Sequence, residues 1–564
     1  IYRVKLNKIK TKIFQIRKNS LKRNYCISIK PYLNKNFLPN LELNLVNIVK
    51  CFISKNCFKI FGEEYCFKNK INWHQDFKNK KINNKWKNSP YQKIKSDKKK
   101  DLPLNKFDAD IKIPWELSRL QHIPYLAYLQ KNNLFKKHIN DWIDNNPFLI
   151  GVNWVCPMEI AIRAINLIYG FYYLNYKNDE NFYKKLINSL YQHAIYLENN
   201  FEIFYKPNNH YIADLIGYFY LCFFFDHIKH FQKAKIKTYK KILEQFELQI
   251  QEDGSDYEGS TSYHKLVVEM FFHFYYLCKK NNLELPNNFI YKLKKANQFI
   301  NDCYDNHKNF IQIGDNDSGK ILDHVIYPNF NRDDKILTHY PNFGLSIIKN
   351  KDWHITYRHP TFNEKQPTGH FHQDSLSLTL SYKGIPILID PGTYVYTANK
   401  NWRNLMRSYD SHNTFYIDTQ NIDNQDLFLL NKREQEDTSK IQLNSKIIVI
   451  KNYYLQNNIK LYRKLLFDNQ KIIINDWFEK NLKKTGFWNF IFHPKINIKQ
   501  KNKNKFEIIY KEKKIFYLES NLNLRQKLGY YSPEYGKIEI CTKLFAQTYI
   551  DYKKNKTILY PAKT

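Results

Sequence analysis

The chain has no apolar run of the roughly 18–20 residues that a membrane-crossing helix needs. Its densest apolar piece, LIGYFYLCFFF over Leu215–Phe225, is shorter and reads as a buried helix. It has no C-x-x-C pair. Its nine cysteines (Cys26, Cys51, Cys57, Cys66, Cys156, Cys222, Cys278, Cys303 and Cys541) are scattered and odd in number, which argues against a disulfide framework. Cys51, Cys57 and Cys66 cluster without the spacing of a standard zinc site, and most of the cysteines are expected as small buried hydrophobes. Glycine and methionine are scarce, 15 and 3 in 564 residues, while Lys, Asn and Ile abound, as compositional drift in an AT-rich genome produces. No strict repeat and no signal peptide is visible. The chain begins with Ile rather than Met, so a truncated or processed N-terminus is expected.

Acidic residues are outnumbered. There are 53 Asp+Glu against 89 Lys+Arg, a formal charge of +36. That excess suits an acidic partner: nucleic acid, anionic lipid or acidic polysaccharide. The lysines are spread evenly, so drift accounts for them equally well. No helix-turn-helix, RNA-recognition or zinc-finger pattern is present, which argues against nucleic acid.

What is present is material for a large core, 43% hydrophobic and 16% aromatic, in a chain long enough for two to four domains. Residues 1–106 form a basic N-terminal segment with short strands and a connector, which holds INWHQDF and KSDKKKDLP. Residues 107–335 follow the helical period. PMEIAIRAINLIYGFYYL sets Ala161, Ala164, Ile165, Ile168 and Tyr172 on one stripe, with Arg163 as a helix-packing residue. Further helices are expected near 180–200, 210–225, 229–250, 260–281 and 286–304. Short links between them imply helical hairpins. Residues 336–564 turn to period two, as in SLSLTLSYKGIPILIDPGTYVY, KIIVIKNYY and KFEIIYKEKKIFYLES, and imply an antiparallel β-sandwich. A cleft between the two units is the default place for a site.

Four clusters carry chemistry. In KPNNHYIADL, Asn208, Asn209 and His210 precede a helix, where a cap and a surface histidine are the plain reading. In YEGSTSYHKLVVEMFF, Ser260 or Thr261 can cap a helix that places Tyr263 on its first turn. In GHFHQDSLSLTL, His370, His372 and Asp374 share the parity of Leu376, Leu378 and Leu380, so an unbroken strand would bury all of them on one face. Asp390, in IPILIDPGTY, ends a strand that reads as buried on both faces and needs a cation or several donors. RSYDSHNTFYID adds Arg407, His412 and Asn413. His372, Asp390 and His412 can form a zinc site, or the histidines can be hydrogen-bonded within the core.

Taken in order, INWHQDF, WELSRLQHIPYLA, NWVCPMEIAIRAIN, NNHYIADL, EGSTSYHKLV, IGDNDSG, GHFHQDSLSLTL, LIDPGTYVY and RSYDSHNTFYID resemble the heparinase II/III-like family of polysaccharide lyases over about residues 70–420. The resemblance implies an N-terminal incomplete (α/α) toroid followed by a C-terminal antiparallel β-sandwich. It implies cleavage of a uronic-acid-containing acidic polysaccharide by β-elimination. That reaction must neutralise the substrate carboxylate, remove the C5 proton and protonate the departing O4. By resemblance, Asn209 and His210 bind the carboxylate, and Tyr263 and His370 transfer protons, with the base and acid roles open between them. Arg407 and Glu258 are expected as substrate contacts, and Asp374 as an orienting group for a histidine or a backbone ligand. His372, Asp390 and His412 resemble a structural divalent metal site, for which zinc is expected; no organic cofactor is implied. With His370 in the cleft and His372 in the sandwich, the chain must break locally between 370 and 374. The expected location is the periplasm or cell envelope, although scattered cysteines pull toward a reducing compartment. Other readings are a non-lyase acidic-glycan-binding or surface-polysaccharide-processing protein, and a glycoside hydrolase using Glu258, Asp253 or Asp256. The hydrolase lacks a partner carboxylate from the sheet region.

Overall fold

Helices begin where the sequence supplies a side-chain cap. Asp179 accepts from the Phe182 N–H, Asn208 from His210, Ser260 from Tyr263 and Asn399 from Trp402. The computed structural model describes residues 37–39, 42–43, 57–67, 70–81, 85–94, 102–175, 178–204, 206–322, 325–326, 335–360, 369–417, 427–428, 430, 436–444, 447–456, 459–551 and 553–562. Cys26, Cys51 and all of KSDKKK lie outside the described residues.

The helical unit comprises α1 (Lys112–Ser118), α2 (Ile123–Tyr128), α3 (Asn132–Asn145), α4 (Pro157–Tyr173), α5 (Glu180–Asn200), α6 (Asn209–Phe224), α7 (Lys229–Gln249), α8 (Thr261–Lys280) and α9 (Asn287–Cys303). Helix α6 packs against α4, α5, α7 and α8. Its apolar run is buried almost all round, as a central element of an incomplete toroid requires. Arg163 lies inside this core, its guanidinium 4.3 Å from the centre of the Trp142 ring and bonded to His193 and the Asn153 carbonyl.

Before the helices, β1 (Cys57–Ile60) and β2 (Glu63–Cys66) form a hairpin. Cys57 and Cys66 face each other in its register and are joined by a disulfide. No disulfide is expected from the sequence, and this pair corrects that; Cys156, Cys222, Cys278, Cys303 and Cys541 are buried, as expected of most. Spacing alone could not show that a hairpin turn at Phe61–Gly62 sets them opposite.

The sheet unit is antiparallel throughout. A five-stranded sheet runs in chain order through β3 (Leu337–Tyr340), β4 (Leu345–Lys349), β5 (Trp353–Arg358), β6 (Leu378–Tyr382) and β7 (Ile385–Leu388). After a short helix α10 (Lys400–Met406) come β8 (Phe415–Ile417), β9 (Glu436–Asn444), β10 (Ile447–Gln456), β11 (Ile459–Phe467), β12 (Ile472–Phe478) and β13 (Leu482–Ile491). They are followed by β14 (Ile496–Asn502), β15 (Lys505–Tyr510), β16 (Lys513–Ser520), β17 (Arg525–Tyr531), β18 (Glu539–Ile550) and β19 (Asn555–Pro561). These make an eight-stranded sheet, β9-β10-β11-β12-β19-β16-β15-β14, and a four-stranded one, β8-β13-β18-β17. Strict alternation of burial along β11 and β12 presents one face of the eight-stranded sheet to the sandwich core.

The β6–β7 hairpin turns at Lys383–Gly384, both at positive φ, the backbone pair that a tight two-residue hairpin needs. Upstream, the extended segment ends sooner than parity suggests. Strand β6 starts only at Leu378, Leu376 has φ +60°, and residues 369–377 are irregular. The break expected between 370 and 374 thus extends to Ser377, held by the Ser377 N–H on the Asp374 carbonyl and the Leu376 N–H on Arg358.

Helices α4 and α6 cross at Gly217, where an added Cβ would lie 2.5 Å from the Ala161 Cβ and 2.6 Å from its Cα. An exposed helical Gly→Ala change gains about 1 kcal/mol. Here backbone, which cannot swing away, opposes the methyl. Gly217→Ala should instead lower stability by about 1–3 kcal/mol, read as a lower midpoint in denaturant unfolding.

Candidate active site

The link after α9 carries Asp315 between the two units, and this carboxylate is fully buried. Its Oδ2 accepts from His370 Nδ1 at 3.0 Å and from Arg403 Nη2 at 2.8 Å. Its Oδ1 accepts from His372 Nε2 at 2.9 Å, from Arg403 Nη1 and from the Thr393 hydroxyl. Burial opposes the charge, but Arg403, His370 and His372 together hold the carboxyl well below its ordinary range.

His370 is the junction. Its Nε2 lies 3.3 Å from Glu258 Oε2, and its ring stacks on Tyr263 with centroids 3.5 Å apart. Burial would lower its pKa, but the two carboxylates push it up to about 9. Glu258 in turn accepts from the Asn209 N–H at 2.8 Å and from Asn209 Nδ2 at 2.7 Å. Asn209, Glu258, His370 and Tyr263 therefore form one continuous cluster, fed by the N-terminus of α6, the loop before α8, the first turn of α8 and the irregular segment before β6. His210, beside Asn209, turns to Glu202, with Nδ1 2.8 Å from Oε2, and is half-exposed. The Tyr263 hydroxyl meets the Tyr396 hydroxyl at 3.1 Å, and burial drives its pKa well up, so it holds its proton.

Three expectations need correction. Arg407 is buried, with its guanidinium on Asn404 Oδ1 and the Leu427 carbonyl, so it is not placed as a substrate contact. Arg403, one turn earlier on α10, is the arginine that enters the site. Glu258 is buried too and spends both oxygens on Asn209 and His370, which makes it an orienting group. Asp374 pairs with Arg358 at 3.0 Å rather than with a histidine. Asp315 and Tyr396 stood inside recognised segments without a role. The available signal was two arginines one helical turn apart, Arg403 and Arg407, of which one had to face inward, and a carboxylate to meet it.

His372, Asp390 and His412 come together, with the nearest ligand atoms of all three within 4.8 Å of one another. His372 Nδ1 faces His412 Nε2 at 3.2 Å, and Asp390 Oδ2 lies 3.5 Å from that Nε2. The outer nitrogens are spent. His372 Nε2 donates to Asp315 and His412 Nδ1 donates to the Ser408 carbonyl at 2.7 Å. In the neutral rings the facing nitrogens are then both lone pairs. Burial keeps both rings neutral and pushes the Asp390 carboxyl well up. Two buried imidazole lone pairs, with their outer nitrogens already assigned, and a buried carboxyl that a dication would deprotonate form a donor set that fits a divalent cation.

The heparinase II/III N-terminus family matches residues 17–341, and the heparinase II/III-like C-terminal family matches residues 332–558. Among solved structures, a heparinase III superposes with a TM-score of 0.69 at 15% identity, covering 95% of this chain and 88% of that one. Another heparinase III gives 0.63 at 16% identity, covering 81% and 80%. A mutant heparan sulfate lyase from Pedobacter heparinus gives 0.59 at 17% identity, covering 89% and 80%. These identities establish likeness of fold. No curated protein sequence matches the chain.

Asp315→Asn leaves the fully buried Arg403 without its counter-charge. It should cost about 3–5 kcal/mol in urea unfolding, and the double variant Asp315→Leu/Arg403→Met should recover much of that. A wild-type midpoint for Asp315→Asn would show that the network does not hold the two units.

Proposed function

Since the chain belongs to the heparinase II/III family, we propose that it is a lyase that cleaves a uronic-acid-containing acidic polysaccharide by β-elimination. The observation that carries the reading is the single cluster in which Glu258 bridges Asn209 to His370, whose ring lies on Tyr263. His210 and the Asn209 side-chain amide, which Glu258 holds in the substrate-free arrangement and must release, supply the N–H groups that neutralise the substrate carboxylate. Neutralisation matters because charge builds next to that carboxylate as the C5 proton leaves.

Tyr263, kept protonated by burial, donates to the departing O4. His370 takes the C5 proton at Nε2, with Asp315 on Nδ1 orienting the ring and stabilising its protonated form. In the substrate-free arrangement both ring nitrogens face carboxylates, so the Glu258 contact must open and Nε2 must lose its proton before the reaction. The C5–H electron pair then forms the C4–C5 double bond, the C4–O4 bond breaks, and O4 leaves as a hydroxyl with the Tyr263 proton. Proton exchange with solvent restores both residues.

We place a divalent cation, zinc by its donor set, on His372, Asp390 and His412. When bound it neutralises Asp390 and ties the segment before β6 to the turn before β8. It supplies neither acid nor base. A periplasmic or cell-envelope location is supported by the Cys57–Cys66 disulfide, which persists in oxidising compartments.

Ultraviolet absorbance of the unsaturated uronate product, followed over a panel of acidic polysaccharides, tests the reading. Tyr263→Phe should lower kcat by about 10²–10⁴-fold with little change in KM. Product formation that survives Tyr263→Phe would sink its assignment as the acid. Polymer binding with no product from any substrate would favour a glycan-binding or polysaccharide-processing role. In the same preparations, His412→Ala should lose the metal that elemental analysis finds in the wild type, and equal metal content would remove the proposed site.

A further inference from the structure

Cys156 is the N-cap residue of helix α4, and its thiol lies near the first turn of α6. Cys156 Sγ lies 3.6 Å from Glu202 Oε2 and 3.9 Å from His210 Nδ1, and that nitrogen is 2.8 Å from the same Glu202 oxygen. Three segments meet here: the start of α4, the α5–α6 link and the first turn of α6. Sulfur, nitrogen and oxygen donors thus close a small triangle outside both the sandwich histidine cluster and the Tyr263–His370 pair. We propose that Cys156, Glu202 and His210 form a second divalent-cation site, of the borderline-soft zinc class, at the edge of the proposed substrate site.

Tetrahedral zinc bonds of about 2.3 Å to sulfur and 2.0–2.2 Å to nitrogen or oxygen put ligand atoms roughly 3.3–3.6 Å apart, within about 0.6 Å of all three separations here. The donor types select the metal. A thiolate excludes magnesium and calcium, while imidazole and carboxylate complete a set that zinc takes readily. The electrostatics agree. Besides burial, the carboxylates of Glu202, Glu159 and Asp214 resist a thiolate at Cys156. The same negative field favours a dication, which as it binds displaces to solvent the thiol proton and the proton that the Glu202 carboxylate holds on His210 Nδ1. The Glu202 backbone is fixed by its N–H on Asp214 Oδ2 at 2.7 Å. The His210 side chain is 34% exposed, which gives the ion a way in and leaves room for water as the fourth ligand. With Nδ1 on the cation, the His210 proton resides on Nε2, the nitrogen left for a substrate carboxylate. The added positive charge stands directly behind it. That last consequence rests on the lyase reading; the site itself does not.

Cobalt(II) titration of the full-length protein, stripped with chelator, tests the site without turnover. Cobalt bound to a thiolate gives a near-ultraviolet charge-transfer band that the sulfur-free His372–Asp390–His412 set cannot give. The band should appear in wild type and in His412→Ala, and vanish in Cys156→Ser. Glu202→Gln should weaken the cobalt affinity behind it by about tenfold or more, as loss even of an outer-shell partner does. No band in the wild type, or a band that survives Cys156→Ser, overturns the proposal. If Cys156→Ser does not fold, unchanged cobalt affinity in Glu202→Gln overturns it instead. Lyase activity without the band would refute this site and leave the proposed reaction standing; a band without activity would do the reverse.

Discussion

The buried carboxylate of Asp315 is the constraint around which the two units are organised. Such a group is tolerable in the interior only if its lone pairs are met. Here Arg403, His370, His372 and Thr393 meet them from the sheet unit. Each partner is then fixed in direction. His370 presents its other nitrogen to Glu258, and His372 presents its other nitrogen to His412. One carboxylate thereby sets the orientation of His370, the proposed proton-transfer histidine, and of a candidate metal ligand only two residues away. The irregular backbone from Gly369 to Ser377 is what lets neighbours of equal parity serve different sides of the structure.

Interlocking of the two units extends beyond that ion pair. Gly259, at φ +80°, sits where a Cβ would come within 2.3 Å of the Phe371 ring, and Arg358 reaches across to its carbonyl at 3.2 Å. The loop that carries Glu258 is thus pressed onto the segment that carries His370. A side chain at Gly259 would have to part them. The contact that places Glu258 against His370 is therefore a packing consequence as much as an electrostatic one.

Much of this was legible in the sequence, and the division follows physical range. The helices expected near 180–200 and 210–225 lie at Glu180–Asn200 and Asn209–Phe224, since periodicity and the capping asparagine ahead of the second are local signals. The β6–β7 turn came from Lys383–Gly384 for the same reason. Ordered motifs brought out Asn209, Tyr263, His370 and the His372–Asp390–His412 set. What was not legible depends on contacts distant in the chain. Arg403 and Arg407 are equivalent on paper, and only the position of Asp315, 88 residues away, separates them. Glu258, near a helix mouth, reads as a substrate contact until Asn209 and His370 are seen to close over it. The Cys57–Cys66 pair needs the register of a hairpin that no residue in it announces.

The charge distribution carries a further lesson. The chain is basic by 36 charges, yet the groups that shape the site are acids: Glu258, Asp315, Asp256 and Glu202. The two facts act at different ranges. Spread lysine gives a field that draws a polyanion toward the protein and is screened by salt within about a Debye length. Near the reacting atoms, a lysine lining would bind substrate and transition state alike and speed nothing. Carboxylates that hold imidazole and amide N–H groups in fixed directions instead create donors that can be aimed at the charge that would develop in the proposed elimination. An acidic frame inside a basic protein thus fits the proposed reaction, in which the surface would supply attraction for a polyanion and fixed orientation would supply selectivity for the transition state.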